Sequence, residues 1–458
     1  MPENWLRALL PLAMIVVLTG VSEASSPQWH SAADFPLGIY WPGEFTYRDM
    51  KDPQARWQAI DRTLDLLKAN HVTAVWLTHV SAFEGAEFAQ HAGERGISLV
   101  ASLGELSSEN ISVRKSDPEA TVKRVLAAWG DAPMPIAWGL GDEPRSSYMH
   151  ELIPLAKAWR KVRQPITTVV MPGDAPSAAT LLPLTALCTD VYPFFGAGNP
   201  NGPDNHGAST AYFTDAGNRV RRWTERNKGM RFWMMGSVFQ DAFGPHELDQ
   251  VGNVVYLPGG GPNLRMPTSA EVRWETWAAL AAGAKGVFLF ALFYPARDAP
   301  NARPLGPDMP FGVKERTDSG FPGGMLYKDG HPTPQFQTVG ECYGQIAKVS
   351  SILATLTPTS DFAAFHAKGW PAAGDLVQPF KAPDGSYYVL VVNGNVNDAA
   401  EVPVDVAQDT TDVTDLLTGI SMPLARAEPF LQMRVKLAPG DGTLLRLNCG
   451  RAASRQQP

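Results

Sequence analysis

Short, almost continuously apolar runs alternate with amphipathic stretches from about residue 36 to about residue 356. Such runs are typical of parallel strands that are buried on both faces. The stretches between them, for example RWQAIDRTLDLLKAN and AEVRWETWAALAAGAK, repeat their apolar positions with the spacing of helices. The eight apolar runs are PLGIYWPG (Pro36–Gly43), VTAVWLTHV (Val72–Val80), ISLVASLG (Ile97–Gly104), PIAWGLGDE (Pro135–Glu143), ITTVVM (Ile166–Met171), LCTDVYPFFG (Leu187–Gly196), RFWMMGSVFQ (Arg231–Gln240) and GVFLFALFY (Gly286–Tyr294).

Eight strand-and-helix units followed by a last helix near 334–356 predict an α/β fold, a (β/α)8 TIM barrel. The alternative is a doubly wound open sheet. That fold usually has fewer strands, and no glycine-rich phosphate turn follows the first strand here. Long loops rich in Gly, Pro and Asn follow the sixth, seventh and eighth runs. In a barrel these loops would gather at the carboxyl end of the strands, where barrel chemistry occurs.

The pattern changes after about residue 357 to short alternating strands separated by Gly, Asn and Asp turns. This pattern predicts a small antiparallel β-sandwich domain. We therefore expect a signal peptide over 1–24, a barrel domain over 25–356, a C-terminal sandwich over 357–449 and a disordered tail over 450–458.

The N-terminus resembles a secretory signal. The apolar stretch Ala8–Val21 is followed by Ser22-Glu23-Ala24, with small residues at the two positions that matter for cleavage. The mature chain would then begin near Ser25, in the periplasm or outside the cell. The apolar run is short for a membrane span, and no later run is long and charge-free enough, so we expect no membrane anchor in the mature chain.

Composition narrows the chemistry. With 44% hydrophobic and 19% charged residues, a net charge of -7 and a pI of about 5.8, the chain has no basic footprint for nucleic acid. Cys188 is expected to be a buried thiol, and a Cys342–Cys449 bridge is possible but not favoured. No nucleophile elbow or P-loop is present, and the nine histidines are scattered, which disfavours a metal-dependent hydrolase. We expect no cofactor and no metal.

The stretch WGLGDEP, from Trp138 to Pro144, places two adjacent carboxylates at the tip of an apolar strand. Because Pro144 disfavours helical geometry for the residue before it, we expect the strand to stay extended through Glu143. Strand alternation would direct Glu143 into the barrel mouth, on the face of the small residues Ala137, Gly139 and Gly141, with Asp142 beside it. A serine, Ser146 or Ser147, would cap the next helix. The alternative is a solvated acidic turn.

The order of WGLGDEP, DVYPF, FWMMGSVFQ and EVRWETWAALAAGAKGVFLFALFY resembles the (β/α)8 glycoside hydrolases of the large retaining clan, in particular the beta-galactosidase-like branch with an appended C-terminal β-domain. The ending VTDLLTG…LAPGDGTLLRL is similar to the end of that domain. The resemblance implies that Glu143 is the acid/base and that Asp142 stands where an Asn often holds substrate hydroxyls. The clan's nucleophile is a Glu near the end of strand 7, where this chain has Gln240 and then Asp241.

Further candidates lie at the predicted strand ends. Asp190 is our choice for the second carboxylate, although bonding backbone at the strand end would explain it equally well. Glu271 and Glu275, one helical turn apart, are expected on a solvated helix face. The other candidates for contact with substrate are Trp41, Glu44, His79, Glu105, Tyr192, Gln240 and Tyr294, each of which also has an ordinary reading as a core or loop residue.

The first hypothesis is an exported glycoside hydrolase acting on an oligo- or polysaccharide, with Glu143 as general acid. Burial and the adjacent Asp142 would favour the protonated form of this side chain. A shorter acid on another strand should lie further from Glu143, so we expect an inverting mechanism in which Asp190 activates water. The second hypothesis is a non-catalytic carbohydrate-binding protein. A third is a hydrolase or lyase acting on uronic acids, with Arg145, Arg265 and Arg297 as its cations. Nothing in the sequence indicates the oligomeric state.

Overall fold

A computed structural model describes residues 35–42, 50–104, 117–196, 206–227, 229–243, 246–248, 254–258, 261–292, 324–326, 330–360 and 375–449. The signal peptide and the disordered tail expected from the sequence lie outside these residues. Within the described parts of the chain, no helix is both long and apolar enough to cross a membrane.

Nine parallel strand segments form one closed barrel. The barrel strands are β1 (Leu37–Pro42), β2 (Ala74–Val80), β3 (Ser98–Leu103), β4 (Ala137–Gly139), β5 (Ile166–Thr167), β6 (Val169–Val170), β7 (Ala186–Asp190), β8 (Arg231–Ser237) and β13 (Val287–Phe290). Four short strands between β8 and β13 pair outside the barrel: β9 (Asp241–Phe243), β10 (His246–Leu248), β11 (Val254–Tyr256) and β12 (Gly261–Leu264). The barrel order is β5-β4-β3-β2-β1-β13-β8-β7-β6. Because β5 and β6 are two halves of one strand that break at Thr168, the sheet closes on itself as an eight-stranded barrel.

A helix follows every barrel strand. The helices are α1 (Pro53–Ala69), α2 (Ala82–Glu94), α3 (Pro118–Trp129), α4 (Met149–Lys161), α5 (Ala175–Leu181), α6 (His206–Glu225), α7 (Ser269–Ala281), α8 (Pro334–Ala347) and a short extra helix α9 (Ser350–Thr355). Sequence signals start several of them: Ser81 and Thr268 form capping boxes with Glu84 and Glu271, and Asp52 caps α1 just before a proline. The predicted (β/α)8 barrel is confirmed, and the doubly wound sheet is wrong.

Two apolar layers flank the barrel wall. The barrel interior is filled by Tyr40, Ala74, Trp76, Val100, Ala137, Val169, Ala186, Cys188, Trp233, Met235, Phe288 and Ala291. Alternate residues of the same strands, such as Trp138 and Leu140, pack outward among the helices. Trp138 stacks on Trp159 of α4, with ring centroids 4.5 Å apart. The two faces of β4 predicted from the sequence are therefore the observed ones, up to Leu140.

The C-terminal part of the chain is a two-sheet sandwich, as predicted. Its strands are β14 (Thr357–Pro358), β15 (Leu376–Lys381), β16 (Tyr387–Val392), β17 (Ala400–Val406), β18 (Thr410–Asp415), β19 (Ala425–Ala427), β20 (Phe430–Leu437) and β21 (Gly442–Cys449). A five-stranded sheet in the order β14-β15-β16-β21-β18 faces a three-stranded sheet in the order β17-β20-β19. Val389 and Val391 of the first sheet share one buried cluster with Val404 and Val435 of the second.

Helix α7 lies between the barrel and the sandwich. The other face of the five-stranded sheet contributes Leu390 and Leu444 to the barrel's helix-layer core. The turn before β21 reaches α7, where Arg273 Nε donates to the carbonyl of Pro439 at 3.1 Å. Since α7 is covered on both sides, almost every residue in it is buried. The expectation of a solvated face at Glu271 and Glu275 is therefore wrong: these side chains are 3% and 1% exposed.

The three cysteines are free thiols. Cys188 is buried inside the barrel, as expected, and Cys342 is buried in α8. Cys449, at the end of β21, is partly exposed and contacts the Thr410 hydroxyl at 3.9 Å. The possible Cys342–Cys449 bridge is not formed.

Candidate active site

The backbone after β4 turns sharply into the barrel mouth. Leu140 N–H donates to the carbonyl of Thr167 at 2.9 Å, and the Thr168 hydroxyl donates to the carbonyl of Gly141 at 3.0 Å. Thr168 is the residue that interrupts the fifth barrel strand, so the break in that strand supplies the bond that holds this loop. Position 139 must be glycine because a Cβ atom there would overlap the Ser102 hydroxyl.

Glu143 does not continue the strand. Its φ is +44°, in the left-handed region, so the extended backbone predicted from Pro144 is wrong. The proline disfavours the right-handed helical region for the residue before it, and Glu143 takes the left-handed alternative in a loop whose two ends are held by hydrogen bonds. The expected serine cap is also wrong. Helix α4 starts at Met149, and Ser146 instead donates its backbone N–H to Asp174 Oδ1 at 2.9 Å, with its hydroxyl on the same oxygen.

The side chains of Asp142 and Glu143 are both exposed at this end of the barrel. Burial, which was expected to favour the protonated form of Glu143, is therefore absent at that residue. The Tyr40 hydroxyl, on the interior face of β1, donates to Asp142 Oδ2 at 2.9 Å. This bond turns Asp142 toward the barrel axis, although simple alternation along β4 would have directed it outward. The barrel mouth thus contains both adjacent acids.

Asp190 is the buried acid of the site. It is the last residue of β7, it pairs in register with Met235 of β8, and it is 6% exposed. Burial raises its pKa well above the ordinary value, and the charge of Glu143, a hydrogen bond with Glu143 and the charge of Asp142 raise it further. Its Oδ1 atom is buried without a hydrogen-bond partner among the described residues.

Glu143 lies close enough to Asp190 for its charge, and a hydrogen bond between the two side chains, to raise the pKa of Asp190. The β4 loop brings Glu143 close to the end of β7, and the inverting mechanism expected from the sequence stays a prediction. Two neighbouring carboxylates repel each other when both are ionised, and this repulsion favours the protonated form of Asp190. Glu143 is exposed and lies next to the buried Asp190, whose raised pKa favours its protonated form. Glu143 can therefore donate a proton to a substrate and regain one from Asp190.

Three of the described tyrosines lie near this pair, and two of them were not selected from the sequence. Tyr40 is one, and its position two residues after Gly38 on the interior face of β1 was a signal that could have found it. Tyr212 of α6 is 46% exposed, and burial together with the charge of Asp190 raises its pKa. Tyr192, which was selected, follows β7, and burial and the charge of Asp190 raise its pKa well above the ordinary value.

Trp41 does not contact the mouth. It was selected as a residue that could bind substrate, but it is fully buried between β1 and α2, edge-on to Phe88 at 5.0 Å. Alternation explains the correction: Tyr40 faces the barrel interior, so its neighbour Trp41 faces the helices. No ring face of Trp41 is accessible to a sugar.

The remaining selected residues divide into two groups. His79 lies at the end of β2, at a bulge opposite β3 and with a φ of +56°, and Gln240 follows β8 with a partly buried side chain. Tyr192 packs edge-on against Phe239 at 5.0 Å. The other three candidates, Glu44, Glu105 and Tyr294, lie outside the described residues.

The described part of the mouth is acidic. Asp142, Glu143 and Asp190 lie together, and within the described ranges no three His, Cys, Asp or Glu side chains are grouped as metal ligands. Of the cations considered for a uronic acid, Arg265 forms a two-pronged ion pair with Glu271 at 2.6 and 2.7 Å. Arg145 is exposed next to the acids, and Arg297 lies outside the described residues.

Comparison with known proteins gives structural neighbours but no sequence family. No family model matches the sequence, and no curated protein matches it. Solved structures to which the chain is similar include a beta-glucuronidase from Ruminococcus gnavus in complex with D-glucuronic acid, at 15% identity and a TM-score of 0.43, covering 68% of this chain and 49% of that one. A beta-galacturonidase from Eisenbergiella tayi bound to galacturonate matches at 14% identity and a TM-score of 0.45, covering 68% and 51%.

A maltogenic alpha-amylase from Thermotoga neapolitana is also similar, at 9% identity and a TM-score of 0.48, covering 91% of this chain and 99% of that one. The chain spans about half the length of the two uronidases. The neighbours are glycosidases, the class that the sequence motifs also resemble. At these low identities and TM-scores, the likeness assigns no activity to this chain.

Proposed function

We propose that the protein is an exported glycoside hydrolase that cleaves glycosidic bonds of an oligo- or polysaccharide by carboxyl chemistry. The observation that carries the proposal is the hydrogen-bonded pair of Glu143 and Asp190 at the carboxyl end of the barrel strands, with Asp142 beside it. Cleavage of a glycosidic bond requires a protonated carboxyl next to the leaving oxygen, and the raised pKa of Asp190 favours a protonated carboxyl in this pair. Export rests on the N-terminal sequence pattern.

In this proposal Glu143 is the general acid, because it is the exposed member of the pair and can reach a bound substrate. Asp190 below it stores the shared proton and, once the pair separates around a substrate, is the carboxylate that activates water. Asp142, oriented by Tyr40, accepts a hydrogen bond from a sugar hydroxyl. His79, Tyr192 and Gln240 contribute to the wall around the sugar.

The test is the Glu143→Gln variant, which keeps the shape of the side chain and removes the transferable proton. Activity would first be found by screening the purified protein on a glycan panel for release of reducing ends. The variant should then lose about a hundredfold or more in kcat, the usual effect of removing a general acid. Full activity in this variant would refute the assignment of Glu143.

A second candidate function is carbohydrate binding without cleavage. The observation in its favour is Gln240 after β8, where the resemblance implies a catalytic Glu. The same panel separates the two functions. Binding measured by calorimetry without release of reducing ends, and unaffected by Glu143→Gln, would support the binding protein and contradict the hydrolase.

A further inference from the structure

The parallel pairing of β7 with β8 stops just where the carboxyl pair lies. The register runs from Ala186 opposite Arg231 to Asp190 opposite Met235. At the two ends of this ladder, Arg231 N–H donates to the carbonyl of Thr185, and Val191 N–H donates to the carbonyl of Met235 at 3.0 Å. Parallel ladders advance by two residues per bond, so the next donor would be Ser237 N–H and its acceptor the carbonyl of Val191.

That next bond is replaced by a side chain from the helix layer. Ser237 N–H donates to Glu275 Oε2 at 2.9 Å, and the Ser237 hydroxyl lies 3.3 Å from the same oxygen. Glu275 belongs to α7, outside the barrel, and is 1% exposed. Its carboxyl therefore reaches into the barrel wall and takes the place of a strand carbonyl.

The sequence leaves room for this insertion. Gly236 faces the helix layer, and a Cβ atom there would lie 2.8 Å from Glu275 Oε2. Burial raises the pKa of Glu275 well above its ordinary value, although the two bonds from Ser237 lower it, and the balance favours the neutral acid, which costs far less to bury than a carboxylate. With the Ser237 donor satisfied by the side chain, the bonding of this chain segment to β8 ends at Val191.

We propose that Glu275 is a positioning residue of the site: by replacing the Val191 carbonyl as partner of Ser237 it holds β7 and β8 apart at the mouth and so fixes Asp190 against Glu143. The catalytic importance of this positioning rests on the proposed function, whereas its test by titration of Asp190 does not. Without the acceptor, the buried Ser237 N–H would be left unpaired, and the cheapest remedy is for the two strands to close and re-form the missing bond. Closure would move Asp190 relative to the loop that carries Glu143.

The experiment compares two substitutions of Glu275 in the full chain. Glu275→Gln keeps an oxygen acceptor and the neutral state, whereas Glu275→Leu keeps the volume and removes the acceptor. The first readout is the titration of Asp190 followed by carboxyl carbon NMR, which needs no turnover. The second is the split between kcat and KM on a cleaved glycan. Thr276→Val is the matched control, because Thr276 is fully buried on the same helix and donates only to the carbonyl of Val272 within it.

We expect Glu275→Gln and Thr276→Val to keep the titration of Asp190 and to retain kcat within about threefold. Glu275→Leu should shift that titration toward the ordinary range of an Asp and lower kcat about tenfold or more, with a smaller change in KM. If the Leu variant does not fold, Gly236→Ala provides the same test, since its methyl group displaces the carboxyl from Ser237.

A smaller Asp190 shift in Glu275→Leu, together with an unchanged shift in the Gln variant, supports the positioning role even if no glycan is cleaved; in that case only the proposed function fails. The inference is overturned if the folded Leu or Gly236→Ala variant titrates as the unmodified protein does. It is equally overturned if Gln changes the titration as much as Leu.

Discussion

The raised pKa of Asp190, a candidate catalytic residue, makes the stability of the protein depend on pH. Burial first, and then Glu143 and Asp142, raise the pKa of Asp190 above its value in the unfolded chain. Between those two values the folded state binds more protons than the unfolded state, so the stability contributed by this group is complete at low pH and is lost as the pH rises. At neutral pH the unfolded chain has ionised Asp190 while the folded site resists its ionisation.

Replacing Asp190 by Asn should therefore stabilise the protein at neutral pH. We expect the Tm of Asp190→Asn to exceed that of the unmodified protein at pH 7 by on the order of 2 °C, the size that about 1 kcal/mol produces in a large domain. The difference should shrink at pH 4, where the unfolded chain of the unmodified protein also holds the proton on about half of its molecules. Thermal unfolding at the two pH values measures this. An equal Tm difference at both would contradict the assignment of the raised pKa.

Lys285 is a second residue whose burial predicts a pH effect, with the opposite sign. Burial lowers its pKa from 10.5 to about 8, while its amine donates to the carbonyls of Leu353 at 2.8 Å and of Leu356. Between these pKa values the unfolded chain binds more protons, so stability from this group rises with pH. At about 1.4 kcal/mol per pKa unit, the difference sets an upper limit of about 3 kcal/mol.

The measurement is the free energy of unfolding of the protein and of Lys285→Met from pH 7 to pH 10. The unmodified protein should gain stability relative to the variant as the pH rises from about 8 toward 10. Subtracting the variant removes the contribution of every other titrating group. A gap between the two that stays constant over this range would show that Lys285 is not desolvated.

At the scale of elements, the sandwich approaches the start of α7 closely at Gly440. Gly440, in the turn between β20 and β21, has a φ of +69°, and a Cβ atom there would overlap the carbonyl oxygen of Ala270 at the start of α7. Gly419, in another turn of the sandwich, has a φ of +73° but no heavy atom within 4 Å of such a Cβ. The two positions share the backbone strain and differ in the contact with α7.

Gly440→Ala should therefore cost more stability than Gly419→Ala. Both variants place a side chain in the left-handed region, at about 1 kcal/mol, and the first adds a backbone clash on the order of 1–3 kcal/mol. Denaturant unfolding of the two variants measures the difference, which isolates the docking contact. Equal losses would mean that the turn does not press against α7.

The packing of elements also explains why Glu271 and Glu275 of α7 were wrongly expected to be exposed. Glu271 and Glu275 have the spacing of an exposed charged stripe, and nothing local distinguishes them from one. Only the sandwich, which covers the outer side of α7, and the barrel, which covers the inner side, make both residues buried. Each then has a partner within the fold, Arg265 for Glu271 and Ser237 for Glu275.

At the scale of the whole molecule, the aspartates of the sandwich form hydrogen bonds within that domain. Asp405 accepts a hydrogen bond from Gln432 at 2.8 Å, Asp412 accepts from Asn448 at 3.2 Å, and Asp415 accepts from Thr443 at 2.6 Å. These partners all belong to the sandwich strands, whereas the carboxyl pair lies at the barrel mouth. We conclude that these acids maintain the sandwich.

Alanine at Asp405, Asp412 or Asp415 should consequently leave kcat per folded molecule within about twofold, with the loss confined to stability. Activity assayed beside circular dichroism separates the two effects. Glu143→Gln is the opposite case, with activity lost and the fold kept. Total loss of activity at any sandwich acid, in a folded protein, would contradict the division of labour between the domains.

The sequence by itself determined the barrel, the sandwich and the strand ends at which the acids lie. Strand alternation and helix spacing are local patterns, and burial of each pattern's apolar positions leaves few arrangements. This is why the two faces of β4 were predicted up to Leu140, and why Asp142, Glu143 and Asp190 were found at the correct end of the barrel.

Only the tertiary structure decided how those acids meet. The contact of Glu143 with Asp190, the bond from Tyr40 to Asp142 and the insertion of Glu275 join side chains from strands and helices far apart in the chain. Each of these contacts depends either on a loop held by hydrogen bonds to another strand or on a domain that packs over a helix. Neither arrangement produces a periodic pattern of apolar residues in the sequence. The left-handed Glu143 is the clearest case, because its neighbours along the chain exclude one conformation and the rest of the fold selects among the others.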